Sequence, residues 1–300
     1  MNNKDEIYKS VNQDIFNISK EVVNQFKNQH SVWMNLAGGA LRDLILDNED
    51  KIKDIDLVLS FEDICKRRIV KDKKTKLYIE DLINIYNENI NKLGEAFERS
   101  GYEVKRYQNF PKEVVQELNP TENDEIYNKL ENFLGVLKIK GNNLSYEIDI
   151  LFVLDIESYV NNFFDFNICK VQSEIIRNGF MQENAENLVQ NGLEKFKVKN
   201  RHFLEDAKNK TITYNLSNKT EEDLLNSFQK HLPRIYDKYK EYKIEFDFEK
   251  KDLKTPPVSG MEQKDWDRLK KLTISLKEMF YLELELKKKE TSVKQKIRKT

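Results

Sequence analysis

Cysteine is nearly missing from this 300-residue chain: Cys65 and Cys169 stand far apart, in no CxxC spacing. Two isolated thiols exclude a disulfide framework, and no partner pattern suggests zinc. They fit a reducing compartment, so a cytoplasmic setting is expected. Long apolar runs are missing too. None approaches the roughly 18 residues of a membrane span, and the N-terminal MNNKDEIYKS is too polar for a secretory signal. Excess charge of one sign is also absent. With a net charge of −1, no global field draws the chain toward nucleic acid or membrane. His30, His202 and His231 share no spacing that suggests a metal site or a triad, and no serine sits in a nucleophile-elbow context. Glycine is scarce, with nine residues, yet two of them, Gly38 and Gly39, are adjacent.

What is present is charge of both signs. Charged residues make up 34%, apolar residues 39% and aromatics 11%. The charged fraction predicts long charged helices, and the aromatics exclude a disordered chain. The length suffices for one large domain or two moderate ones. Two segments concentrate positive charge. The loop Lys66–Lys76, in a basic stretch near 62–76, carries seven cations against Asp72, and the tail Lys287–Lys299 carries seven against Glu290. Each is either solvated surface or a contact for a polyanion.

Apolar spacing predicts a helix over 7–28 and a short buried strand in SVWMNLA that runs into the glycine pair. A helix over 40–47 follows, then a strand in DIDLVLS with Ile55, Leu57 and Leu59 on one face. A helix over 77–99 ends at Gly101, and YEVKRYQ alternates like an exposed strand. LGVLKIK and LSYEIDILFV flank Gly141-Asn142-Asn143 as a hairpin. Beyond Ser158 the pattern is mostly helical, apart from short extended pieces at TITYN and YKIEFDF. Pro256-Pro257 marks a linker before a final helix from Gln263 to about Lys289. The fold class is therefore α+β: a mixed sheet of four or five strands with helices over 1–157, then a mostly helical region over 158–300.

Glycines after a strand let backbone N–H groups approach phosphate oxygens, and a helix starting there adds its free N–H groups and dipole. A tight turn is the plain alternative. Asp54 and Asp56, two apart in a strand, project together. Two carboxylates so close repel unless a cation neutralises them, and hard Mg²⁺ accepts such oxygens together with substrate phosphates. A third carboxylate is expected from the neighbouring strand. Asp149 is the first candidate, because Ile148, Ile150 and Phe152 alternate to the opposite face; Glu147 and Asp155 come after it. Lys170 and Arg177 are candidate triphosphate cations. Arg234, Tyr236, Lys238 and Tyr239 either line a cleft or form a packed helix face.

The string GGALRD followed by DIDLV resembles the signature of the DNA-polymerase-beta-like nucleotidyltransferase superfamily. It is most similar to the branch of CCA-adding enzymes and bacterial poly(A) polymerases. The resemblance implies that Gly38 and Gly39 bind a nucleoside triphosphate, ATP or CTP being favoured. It also implies that Asp54 and Asp56 hold two Mg²⁺ ions, and that Arg42 and Asp43 shape the nucleotide site. FFDFNICKV resembles a further family segment through Asp165 and Phe166. There, Phe163 and Phe164 stand where the family has arginines, Asn167 replaces a threonine, and Cys169 an asparagine. By the same resemblance Asp165, Asn167 and Arg234 belong to the nucleotide-binding set, to which Lys170 is added as a candidate triphosphate cation, although Asp237 occupies the place of a second arginine after Arg234. The implied reaction is template-independent transfer of a nucleotide to an acceptor hydroxyl. An RNA 3′ end, tRNA in particular, is the favoured partner, and an aspartate takes the hydroxyl proton. A protein or small-molecule acceptor, or an inactive nucleotide- or RNA-binding protein, are the alternatives.

Overall fold

Ile55, Leu57 and Leu59, spaced by two in DIDLVLS, lie in β2 (Asp54–Ser60), and the strand that ends at the glycine pair is β1 (Trp33–Ala37). The computed structural model describes residues 3–26, 32–46, 48, 52–61, 75–108, 133–141, 143–162, 164–181, 200–215, 221–247 and 262–297. At 3–5, 75–83, 133, 162 and 290–297 it describes the backbone only. The chain divides into two compact units, Met1–Phe164 with Cys169–Leu204, and Asp165–Ile168 with Glu205–Thr300.

In the first unit, helix α1 (Asn3–Gln25) precedes β1. Helix α2 (Gly38–Ile45) starts at the first glycine, before the expected Ala40. Helix α3 (Thr75–Arg99) leads to β3 (Glu103–Gln108), and β4 (Phe133–Lys140) pairs as a hairpin with β5 (Glu147–Val153). Helix α4 (Ile156–Asn162) and strands β6 (Gln172–Arg177) and β7 (Phe180–Met181) follow. The strands form one sheet ordered β3-β4-β5-β2-β1-β6-β7, in which β2 and β5 run parallel and every other neighbour antiparallel.

The sheet thus has seven strands, where the sequence predicts four or five. The strands the sequence reading omits are β6 and β7, placed there in a helical stretch. The register of β6 against β1 shifts at Met34/Asn35, so Ile175 and Ile176 are both buried and no clean alternation appears. Asn178 and Gly179, both at positive φ, turn β6 into β7. Asn-Gly between extended residues is a hairpin signal.

One sheet face is apolar: Ile55, Leu57, Ile148, Ile150, Phe152, Leu137 and Ile139 are fully buried. It lies under α1 and α3, joined through Phe61, whose ring meets Phe26 at 5.1 Å, Tyr86 at 5.2 Å and Phe152 at 6.5 Å. The Tyr86 hydroxyl donates to the Val153 carbonyl at 2.9 Å. On the other face, Val58 and Val153 pack with Ile156, Tyr159 and Val160 of α4, against Trp33, Leu151 and Phe164.

The second unit contains α5 (Arg201–Asn209, begun in the first unit), β8 (Thr211–Tyr214) and α6 (Glu221–Asn226). A π-helical turn, Ser227–His231, leads to α7 (Leu232–Lys238), β9 (Lys243–Phe246) and α8 (Gln263–Ile297). β8 and β9 form a two-stranded parallel sheet. Its core gathers Tyr214, Phe228 and Phe246, with Phe166 against Tyr214. The Pro256-Pro257 linker and residues 66–74 of the basic loop lie outside the described residues. No helix among the described residues is long and apolar enough to cross a membrane.

Candidate active site

The parallel register of β2 and β5 places Asp54 opposite Glu147 and Asp56 opposite Asp149. Directly opposed residues share a face, so four carboxylates from two distant segments stand together at the starts of two strands. Asp56 is pushed up to about 7, first by burial and then by the charges of Asp54 and Asp149; a hydrogen bond from the Gly39 N–H pulls the other way. Burial also raises Asp149, a contact with Lys138 opposes this, and the charges of Asp54 and Glu147 add to it.

Lys138, opposite Asp149 on β4, is a residue the sequence reading did not single out. Its Nζ lies 2.5 Å from Asp149 Oδ2. Burial works against its charge, but the Asp149 contact and the charges of Glu147 and Asp54 leave it raised. Asp149 Oδ1 is buried with no hydrogen-bond partner among the described residues. Glu147 pairs with Lys140 at 2.8 Å. Asp155 is occupied elsewhere: its Oδ1 accepts the Ser158 N–H at 2.6 Å and caps α4.

The glycine pair does not present both N–H groups outward. Gly38 donates to the Val171 carbonyl at 3.3 Å, and Gly39 to Asp56. Gly38 is needed for two other reasons. Its φ is +70°, and a Cβ there would stand 2.7 Å from Asp56 Oδ2 and 3.3 Å from the Phe164 ring. At Gly39 a Cβ would meet, among the described residues, only the Arg42 guanidinium, at 3.5 Å. Arg42 and Asp43 are buried under the turn. Arg42 Nε donates to Asp43 Oδ1 at 2.7 Å, and its other arm reaches Cys169 Sγ at 3.1 Å. Tyr159, missed in the sequence, closes the site from α4: burial and the Asp56 charge push its phenol well up.

Among the described residues no three Asp, Glu, His or Cys side chains, as they lie here, group closely enough to hold a metal ion. The donor set nonetheless fits a hard divalent cation. It offers oxygen ligands only, like charges that need a counter-charge, and one buried carboxylate oxygen of Asp149 without a partner. Lys138 now supplies the counter-charge on the other oxygen.

The remaining predicted residues fall in both units. Lys170 is buried in the first unit. Arg177 lies over the Trp33 ring at 5.3 Å, with Glu174 at 4.0 Å. Asp165, Asn167 and Arg234 belong to the second unit. There Asp165 Oδ2 accepts the Ser227 hydroxyl and contacts His231 Nδ1, each at 2.6 Å. Asn167 is buried, its Oδ1 without a partner among the described residues, and Arg234 is exposed on α7. Tyr236 packs edge-on against Phe280 at 5.4 Å and Tyr239 is fully buried, so both serve the helix face. Of the basic tail, Lys287–Lys289 are exposed on α8.

No protein-family model matches the chain, and no curated protein matches it. Solved structures do. A Thermotoga maritima CCA-adding enzyme complexed with tRNA is 13% identical, at TM-score 0.37, over 81% of this chain and 42% of its own. A tRNA nucleotidyltransferase complexed with a primer tRNA and an incoming ATP analogue is 14% identical, at TM-score 0.36, over 89% and 60%. A tRNA-processing enzyme in its apo form is 15% identical, at TM-score 0.35, over 77% and 44%. The chain spans less than two thirds of the length of each.

Proposed function

We propose that this chain is a divergent nucleotidyltransferase that moves a nucleotide, without a template, from a nucleoside triphosphate to an acceptor hydroxyl, with RNA as the acceptor. The observation that carries the reading is the register of β2 and β5, which sets Asp56 beside Asp149 with Asp54 near enough to raise Asp56. A purely structural sheet gains nothing from such a cluster, because each added charge opposes the next. Mg²⁺ ions held by Asp54, Asp56 and Asp149 would neutralise the triphosphate and the charge on the departing oxygen.

The chain's own residues do the rest. Gly38 lets the turn close against Asp56, and Gly39 fixes that carboxylate with its N–H. The buried Arg42–Asp43 pair stiffens the start of α2 beneath them. Tyr159 and Phe164, 5.8 Å apart edge to face, wall the site on the α4 side. In the reaction the acceptor oxygen bonds to the α-phosphorus and the bond from that phosphorus to the bridging oxygen breaks. Pyrophosphate leaves, and the hydroxyl proton passes to a carboxylate of the cluster. In this reading residues 1–157 form the catalytic core, and 158–300 supply nucleotide and acceptor contacts through Asp165, Asn167 and Arg234, with Lys170.

The test is incubation with each α-labelled triphosphate, Mg²⁺ and total RNA. Label in RNA supports the reading. Label in protein would move the acceptor, and no label from any triphosphate would overturn it.

A further inference from the structure

The carboxylate row does not stop at β5. Asp56 opposes Asp149, Asp149 opposes Lys138, and Lys138 opposes Lys105, so these four side chains share one face. The next row on that face is Val58, Leu151, Val136 and Tyr107. At about 4.8 Å between strands, β3 lies about 14 Å from Asp56. A short single-stranded end can bridge that distance.

Tyr107 is 52% exposed although Val136 beside it is buried, and the Lys105 side chain is 56% exposed, with Glu103, at 3.9 Å, its ion-pair partner among the described residues. The other face of β3 is taken. Arg106 turns to α3, where it bonds Glu98 at 2.7 Å and lies so close over Gly94 that a Cβ there would stand 2.5 Å from its Nε. Helix α3 therefore covers one side of β3 and leaves Lys105 and Tyr107 on the other.

We propose that this outward face, from Lys138 through Lys105 to Tyr107, is the track on which the acceptor lies: a single-stranded RNA end whose terminal hydroxyl reaches the carboxylates. This rests on the nucleotidyltransferase reading. An exposed ring offers a base a stacking platform, and two lysines on neighbouring strands follow a phosphate backbone. An added protein strand is the poorer occupant, since consecutive cations at Lys105 and Arg106 blunt the β3 edge.

The experiment measures binding of a fluorescein-labelled single-stranded RNA by anisotropy, across salt, and transfer of labelled nucleotide in parallel. The proteins are wild type, Tyr107→Ala, Tyr107→Phe and Lys105→Ala, all altered at exposed positions. Tyr107→Ala is expected to weaken RNA about tenfold, with Tyr107→Phe close to wild type. Lys105→Ala should flatten the log–log salt slope by about 0.7. Wild-type binding by both alanine variants overturns the track. So does a wild type that binds no RNA but labels protein, which leaves the enzyme reading standing. The expected binding losses with no transfer by any form would instead keep the RNA contact of this face and overturn the enzyme reading.

Discussion

Asp14 and Asp149 are both buried carboxylates of the first compact unit, and they are treated in opposite ways. Asp14, on α1, accepts the N–H groups of Ser145 and Tyr146 at 2.8 and 3.0 Å, clamping the turn that leads into β5. Burial raises its pKa and those two bonds oppose the rise. Asp149 has one oxygen on Lys138, the other without a partner, and two further acids close by. A carboxylate satisfied by the backbone holds the fold. One with an idle buried oxygen among like charges makes sense through something the chain binds.

Substitution should separate these roles. Asp54→Ala or Asp56→Ala is expected to lower nucleotide transfer at least ~10²–10³-fold in a protein with native circular dichroism. Near-normal turnover would collapse the distinction. Asp14→Ala should do the reverse. Losing the acceptor of these two part-buried N–H bonds costs about 1–2 kcal/mol in urea unfolding, while transfer per folded molecule stays near wild type. Gly38→Ala, which puts a Cβ against Asp56 at a positive φ, should lose about 2 kcal/mol and also impair transfer.

Asp56→Asn is expected to stabilise the protein, with divalent ions chelated, by roughly 1 kcal/mol or more at neutral pH. A folded-state pKa raised from 3.8 to about 7 favours folding only while the group is protonated. That contribution is full below pH 4 and is lost as pH rises through 7. The melting-temperature gap between variant and wild type should therefore widen over that window and level off above it. A constant gap would remove the like-charge account. The smallest effect is expected at Gly39→Ala, within about 0.5 kcal/mol, because among the described residues a Cβ there would meet only the Arg42 side chain, in ordinary contact.

Much of this site was legible because its signals are local. The alternation of Ile148, Ile150 and Phe152 around Asp149 fixes that acid on the face away from the core, and DIDLVLS forms the strand its pattern predicts. What was not legible depends on partners distant in sequence. Lys138 reads as an ordinary strand lysine until the β4–β5 register sets it on Asp149. Tyr159 reads as a helix aromatic until α4 packs beside Asp56. The sequence points to the N–H groups of the glycine pair, whereas the missing side chain of Gly38 is what the geometry uses. Strand β6 was hidden by its shifted register, although Asn178-Gly179 was an available sign.

The parallel pairing of β2 with β5 also guards against misalignment. Because side chains alternate, sliding either strand by one residue would carry its acids, Asp54 and Asp56 or Glu147 and Asp149, toward the dry layer beneath α1 and α3. A carboxylate entering such a layer without a partner is penalised by several kcal/mol. The same acids that crowd one another in the correct alignment thus make the neighbouring alignments worse. A sheet assembled from segments so far apart along the chain carries its own proofreading in the residues that burden it most.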